Sequence, residues 1–248
     1  MIRDLWLVGI GTGSPNHLTL EGLAALRDAA VILMPIKSDE KDDLVHIRRE
    51  IIAAAGTDAR VIPFDYPVRD PSLPYQERVS AWHDEIAWRW VGALENETVN
   101  GAVALLVWGD PALYDSTIRI AHRLEPAPNI RVIPGITAVQ ALTAAHGIPL
   151  NTIDGAIEIV TGRNLRQNAS VPKTATLVVM LDGECSFQKL TDQQQIHIWW
   201  GAYLGSQKEI LVQGPLDEVA EKILHIRTEA REKHGWIMDT YMLRRIEP

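Results

Sequence analysis

The 248-residue chain has a single cysteine, Cys185. An intramolecular disulfide is therefore excluded, which fits a reducing compartment. There is no CxxC pair and no Cys/His cluster, and His46, His83 and His122 show no ligand spacing, so no metal is expected. No apolar run approaches the roughly 20 residues needed to span a bilayer. The opening Met1-Ile2-Arg3-Asp4 leads straight into an apolar segment without the features of a signal peptide. A cytoplasmic chain with no membrane association is expected. Positive charge is also in short supply, with 24 Lys and Arg against 32 Asp and Glu and a formal net charge of −8. That balance argues against non-specific nucleic-acid binding, which depends on neutralising phosphates, and leaves room for a small anionic ligand at a local basic patch. Phenylalanine is scarce, two against eight tryptophans. The tryptophans serve as packing aromatics, with one or two available to line a pocket for a flat conjugated ligand.

The first half alternates apolar strands with helical patterns. Strands are expected at Leu5–Ile10, Val31–Met34, Arg60–Phe64, Ala102–Trp108 and Ile130–Ile133. Helices are expected at 18–28, 44–55, 75–93, 116–124 and 137–146. The strands are continuously apolar, the pattern of a mostly parallel sheet covered on both faces. The second half is richer in strands, with its best helix at 216–225. The expected architecture is α/β, with an N-terminal domain over 1–132 and a mixed α/β domain over 133–248. The Pro-rich stretch Phe64–Pro74 is a long connection of the kind that is commonly functional.

Special backbone residues gather at the ends of three strands. Gly9-Ile10-Gly11-Thr12-Gly13-Ser14-Pro15 is an imperfect dinucleotide fingerprint, with Ser14 where a third glycine belongs and no acid placed to hold a ribose. Trp108-Gly109-Asp110-Pro111-Ala112-Leu113-Tyr114-Asp115-Ser116-Thr117 follows the clearest strand, and Ser116 is placed to cap the next helix. Pro134-Gly135-Ile136-Thr137-Ala138 is the third. Ligands of open α/β sheets bind outside the carboxyl ends of the strands, so such turns in one sheet would meet around one ligand.

These segments, with Leu18-Thr19, Gly147-Ile148-Pro149-Leu150 and Val178-Val179-Met180, resemble the tetrapyrrole methylases over nearly the whole chain. Most members carry Gly-Pro-Gly in the first turn, where this chain has Thr12 between its glycines. The resemblance implies two α/β domains with S-adenosylmethionine in a cleft between them, S-adenosylhomocysteine as the spent donor, and a homodimer. It places Thr12, Gly109, Asp110, Leu113, Thr137, Ala138, Met180 and Leu204 around the donor. It also implies methylation at carbon 1 of an anionic corrin precursor with loss of acetate. Deacetylation needs a water and a group to take its proton, for which Asp110, Tyr114 and Asp115 are candidates. Lys37, Arg69, Arg163 and Arg166, read as loop residues, are candidates for substrate carboxylates, because guanidinium binds carboxylate bidentately. A methylase of another corrin carbon or of ribosomal RNA, a nicotinamide-dependent oxidoreductase and a non-catalytic binding protein remain open.

Overall fold

A computed structural model describes residues 2–36, 43–172 and 175–246. The chain divides into two compact units, Met1–Thr137 and Ala138–Pro248. No described helix is long and apolar enough to cross a membrane.

The first unit runs β1 (Asp4–Gly9), α1 (Leu20–Asp28), β2 (Val31–Ile36), α2 (Asp43–Ala55), β3 (Arg60–Asp65), α3 (Tyr75–Ala93), β4 (Val103–Val107), α4 (Thr117–Ala121) and β5 (Asn129–Ile133). Its five strands form a sheet in the order β3-β2-β4-β1-β5, and every pairing is parallel. Successive side chains of a strand point to opposite faces, and both faces here are buried. Leu5, Leu7, Val31, Leu33, Val103 and Leu105 pack with Ile86, Trp90 and Ile120 on one side. Val8, Ile10, Ile32, Ala104 and Leu106 pack with Leu26, Ile51 and Ala55 on the other. Each such side chain removed from water contributes about 1.5–3 kcal/mol. Two buried faces leave no polar position in the central strand β4, which reads Val-Ala-Leu-Leu-Val without alternation, whereas the edge strands β3 and β5 are largely exposed and carry Arg60, Asp65, Asn129 and Arg131.

Helix boundaries follow local chemistry. The first helix starts at Leu20, two residues later than its apolar pattern suggests, because the Thr19 hydroxyl accepts from the Gly22 N–H at 2.9 Å as an N-cap. The fourth is shorter than expected, five residues. Ser116 makes no capping bond there; Asp115 Oδ1 accepts from the Thr117 N–H at 2.6 Å instead.

The second unit runs α5 (Ala138–His146), β6 (Ala156–Thr161), α6 (Gly162–Asn168), β7 (Ala175–Met180), β8 (Ile196–Ala202), β9 (Ile210–Pro215), α7 (Leu216–His234) and β10 (Asp239–Arg245). Its sheet has the order β6-β7-β10-β8-β9. Only β6 and β7 pair in parallel; the other pairings are antiparallel. Trp200, Phe187, Tyr241 and Leu243 centre the core of one face. The last helix extends to His234, beyond the expected stop, and ends at Gly235 in the left-handed region, φ 75°, a conformation glycine adopts without strain.

The interior of this unit also holds charge. Asp182 is buried, and its Oδ2 accepts from the Tyr241 hydroxyl at 2.6 Å and the Ser186 N–H at 2.5 Å. Its Oδ1 accepts from the Ser186 hydroxyl at 2.6 Å and from Arg166 at 3.3 Å. Gly162 packs directly on it: a β-carbon there would come within 2.2 Å of Asp182 Oδ1. Burial, reinforced by the Asp182 charge, pushes the Tyr241 phenol well above its ordinary pKa, so it remains a donor.

Candidate active site

In the first unit the three expected turns are built into one piece. The chain leaves β1 and hydrogen-bonds across to the segment leaving β4: Ile10 N–H donates to Val107 O at 2.9 Å, Gly109 N–H to Gly11 O at 2.8 Å, and Gly11 N–H to Gly109 O at 3.3 Å. The pair forms an isolated antiparallel bridge between loops whose parent strands run parallel. The third turn is pressed against it. A β-carbon on Gly135 would lie 2.2 Å from Gly109 O and 2.8 Å from Gly9 Cα, so only glycine fits. Gly109 itself sits at φ 66°, where glycine carries no steric cost.

Asp110 locks the turns together. Its Oδ1 accepts from the Ala112 N–H at 2.8 Å and its Oδ2 from the Gly135 N–H at 2.9 Å. Both oxygens thus serve backbone donors, one within its own turn and one in the next. Leu113 N–H closes the same turn on Asp110 O at 3.2 Å. Thr12 is buried, with its hydroxyl 3.1 Å from His17 Nδ1. Thr12, Gly109, Asp110 and Leu113 therefore belong to one backbone-linked assembly, and Thr137 lies in the third turn, just before α5.

The carboxyl edge of this sheet carries further chemistry. Tyr114 lies in the left-handed region at φ 50°, partly exposed, and burial raises its pKa. Asp115 spends one oxygen on Thr117, and its backbone carbonyl accepts from Arg119 at 2.9 Å. Arg69 lies on the connection after β3, exposed, with its guanidinium carbon 4.1 Å from the centre of the Trp82 ring. Trp82 Nε1 donates to Pro67 O at 2.9 Å, fixing that connection in place. Sequence reasoning missed Tyr66, the residue that follows β3. Its ring packs between Phe64 and Trp82, 5.6 Å from each. Nothing in the local sequence marks it, since only the fold brings this strand end to the same sheet edge as Asp115. Lys37 lies outside the described residues.

The remaining expected residues lie in the second unit. Ala138 opens α5, and Met180 closes β7. Leu204 is buried against Gly201, where a β-carbon would meet Leu204 Cδ2 at 2.7 Å and Leu142 Cδ1 at 2.9 Å. Arg163 and Arg166 are helical residues of α6, not loop residues as expected. Thr161 caps that helix, its hydroxyl accepting from the Asn164 N–H. Arg166 does not stand open for a ligand: it pairs with Asp182 at 3.3 Å, Glu184 at 3.1 Å and the Ser186 hydroxyl at 2.7 Å. Arg163 is exposed on the same helix.

The family model for tetrapyrrole (corrin/porphyrin) methylases matches residues 4–220. The chain belongs to this family. As a methylase it carries the glycine turns after β1, β4 and β5 in the first unit. A precorrin-6A synthase (deacetylating) from Sinorhizobium sp. is 45% identical over 253 residues, 98% of this chain and 96% of the relative. Among solved structures, the cobalamin-synthesis-related protein CobF from Corynebacterium diphtheriae is similar over 100% of both chains, with TM-score 0.83 and 38% identity. A uroporphyrin-III C-methyltransferase from Thermus thermophilus, complexed with S-adenosylhomocysteine, shares the fold at TM-score 0.62 and 21% identity, over 97% of this chain and 92% of that one.

Proposed function

We propose that this methylase is a deacetylating precorrin-6A synthase, which moves a methyl group from S-adenosylmethionine to carbon 1 of precorrin-5 and releases acetate to give precorrin-6A. The observation that carries the reading is the 45% identity, spread over nearly the full length of both chains, with a relative of that name.

The first unit suits such a donor. A sulfonium nucleoside has no phosphates, and the three turns offer backbone groups and glycine contacts with no lysine or arginine among them. Thr12, Gly109, Asp110, Leu113 and Thr137, with Ala138, Met180 and Leu204 of the second unit, are the residues proposed to hold it. S-adenosylmethionine supplies an already activated methyl group when bound. The protein's contribution to that half of the reaction is to hold the accepting carbon close and in line. Asp110, with both oxygens committed to backbone donors, shapes the turns. That leaves Asp115 and Tyr114 as the candidates for proton handling in deacetylation. Arg69 and Arg163 are the exposed cations proposed for substrate carboxylates, together with Lys37. A homodimer working in the cytoplasm on a small anionic tetrapyrrole, without nucleic acid, completes the proposal.

Purified protein incubated anaerobically with S-adenosylmethionine and precorrin-5 is expected to yield a product with one methyl gained and acetate released, followed by mass spectrometry. Donor binding without either product would remove this substrate while leaving the methylase family in place.

A further inference from the structure

Asp110 is fully occupied, so deacetylation needs its polar groups from elsewhere on the carboxyl edge of the first sheet. Asp115 retains one carboxylate oxygen beyond the Oδ1 that caps α4. Tyr66 lies at the same carboxyl edge of this parallel sheet, and the Asp115 charge acts on its phenol. Strand β3 ends at Asp65, and the Tyr66 N–H still donates to Ile36 O at 3.2 Å, so the residue sits at the strand's very end. Phe64 and Trp82 flank its half-buried ring. Asp115, Arg48 and Arg69 all act electrostatically on its phenol. Among the described residues the hydroxyl has no hydrogen-bond partner. Burial, then the Asp115 charge, raises the pKa of Tyr66, which keeps its proton in place at working pH.

We infer that Tyr66 is a further catalytic residue, donating a hydrogen bond from its hydroxyl to the carbonyl oxygen of the acetyl group while Asp115 takes the proton of the attacking water. The inference rests on the deacetylating reading above. Water adds to the acetyl carbon and gives one proton to Asp115, and the negative charge that develops on the carbonyl oxygen falls against Tyr66 and the field of Arg69. Collapse of the adduct breaks the bond between acetyl carbon and macrocycle and leaves acetic acid. The electron pair passes into the conjugated ring, whose carbon 1 captures the methyl group of the sulfonium. The balance is one acetylated ring, one water and one sulfonium giving one methylated ring, one acetic acid, one thioether and one proton. A donor aimed at an oxyanion is worth about 100- to 1000-fold in kcat, and a positioned base a comparable factor.

Tyr66→Phe removes one oxygen and keeps the ring that Phe64 and Trp82 grip. The variant, the wild type and Asp115→Asn would be compared for S-adenosylhomocysteine binding by calorimetry, for thermal unfolding, and for acetate and methylated product from precorrin-5. The expected result is donor-product affinity within twofold of wild type, an unchanged melting temperature, and kcat for both products reduced about 100-fold with little change in KM. Asp115→Asn should fall comparably, and the double variant little further, because both groups serve one step. Tyr66→Phe turning over within threefold of wild type would overturn the assignment, as would a loss of turnover accompanied by a tenfold loss of S-adenosylhomocysteine affinity, which marks a structural role. Wild type that methylates without releasing acetate would instead remove the deacetylating reading, and this inference with it.

Discussion

The two units use aspartate in opposite ways. In the first, Asp110 sits at the edge of an apolar parallel sheet and accepts from two backbone N–H groups in different turns. In the second, Asp182 is buried and accepts from a serine 4 residues on, an arginine 16 residues back and a tyrosine 59 residues on. The first arrangement shapes a surface; the second holds an interior together. A buried charge with all its partners contributes little net stability, but removing one member leaves the others desolvated and unpaired. Loss of an edge aspartate frees backbone groups that water can reach.

The largest effect is therefore expected from Asp182→Ala, which leaves Tyr241 and Ser186 without their acceptor and Arg166 with only the exposed Glu184 and the Ser186 hydroxyl. It should destabilise the protein by about 3–5 kcal/mol in urea unfolding, and Asp110→Ala clearly less. Equal losses from the two would erase the contrast. Gly135→Ala comes next. Its methyl group would overlap Gly109 O and the Gly9 backbone, and overpacking of this kind costs about 1–3 kcal/mol. Calorimetry should show weaker S-adenosylhomocysteine binding together with the lower stability, because the same backbone makes the turns. Smallest in stability terms is a paired test of the arginines. Arg69→Ala should raise KM for the tetrapyrrole several-fold with an unchanged melting temperature. Arg166→Ala should lower the melting temperature and leave KM alone. The reverse pattern would return Arg166 to the substrate.

The arginines also show where the sequence stops being readable. Glycine turns at strand ends are legible because a special backbone needs special residues, and continuously apolar strands announce a sheet buried on both faces. That was enough to expect the parallel sheet of the first unit and its three turns. The fate of Arg166 depends on Asp182, sixteen residues away on another element, and no local pattern announces that pairing. Asp115 rather than Ser116 caps α4 for a similar reason: either side chain is a good cap, and the backbone angle at Ser116, set by tertiary packing, decides between them. Tyr66 is the extreme case, an ordinary strand-end residue until the sheet order places β3 two strands from β4.

The Gly11–Gly109 bridge has a consequence for how this site can vary. Two loops that exchange hydrogen bonds through their own backbones share a common length standard. A residue inserted in either one breaks the register of both, and a side-chain change in one cannot restore it. Changes of substrate built on this scaffold must therefore enter through segments free of that constraint, such as the connection from Tyr66 to Pro74, and the paired loops behave as a fixed datum from which the rest of the site is measured.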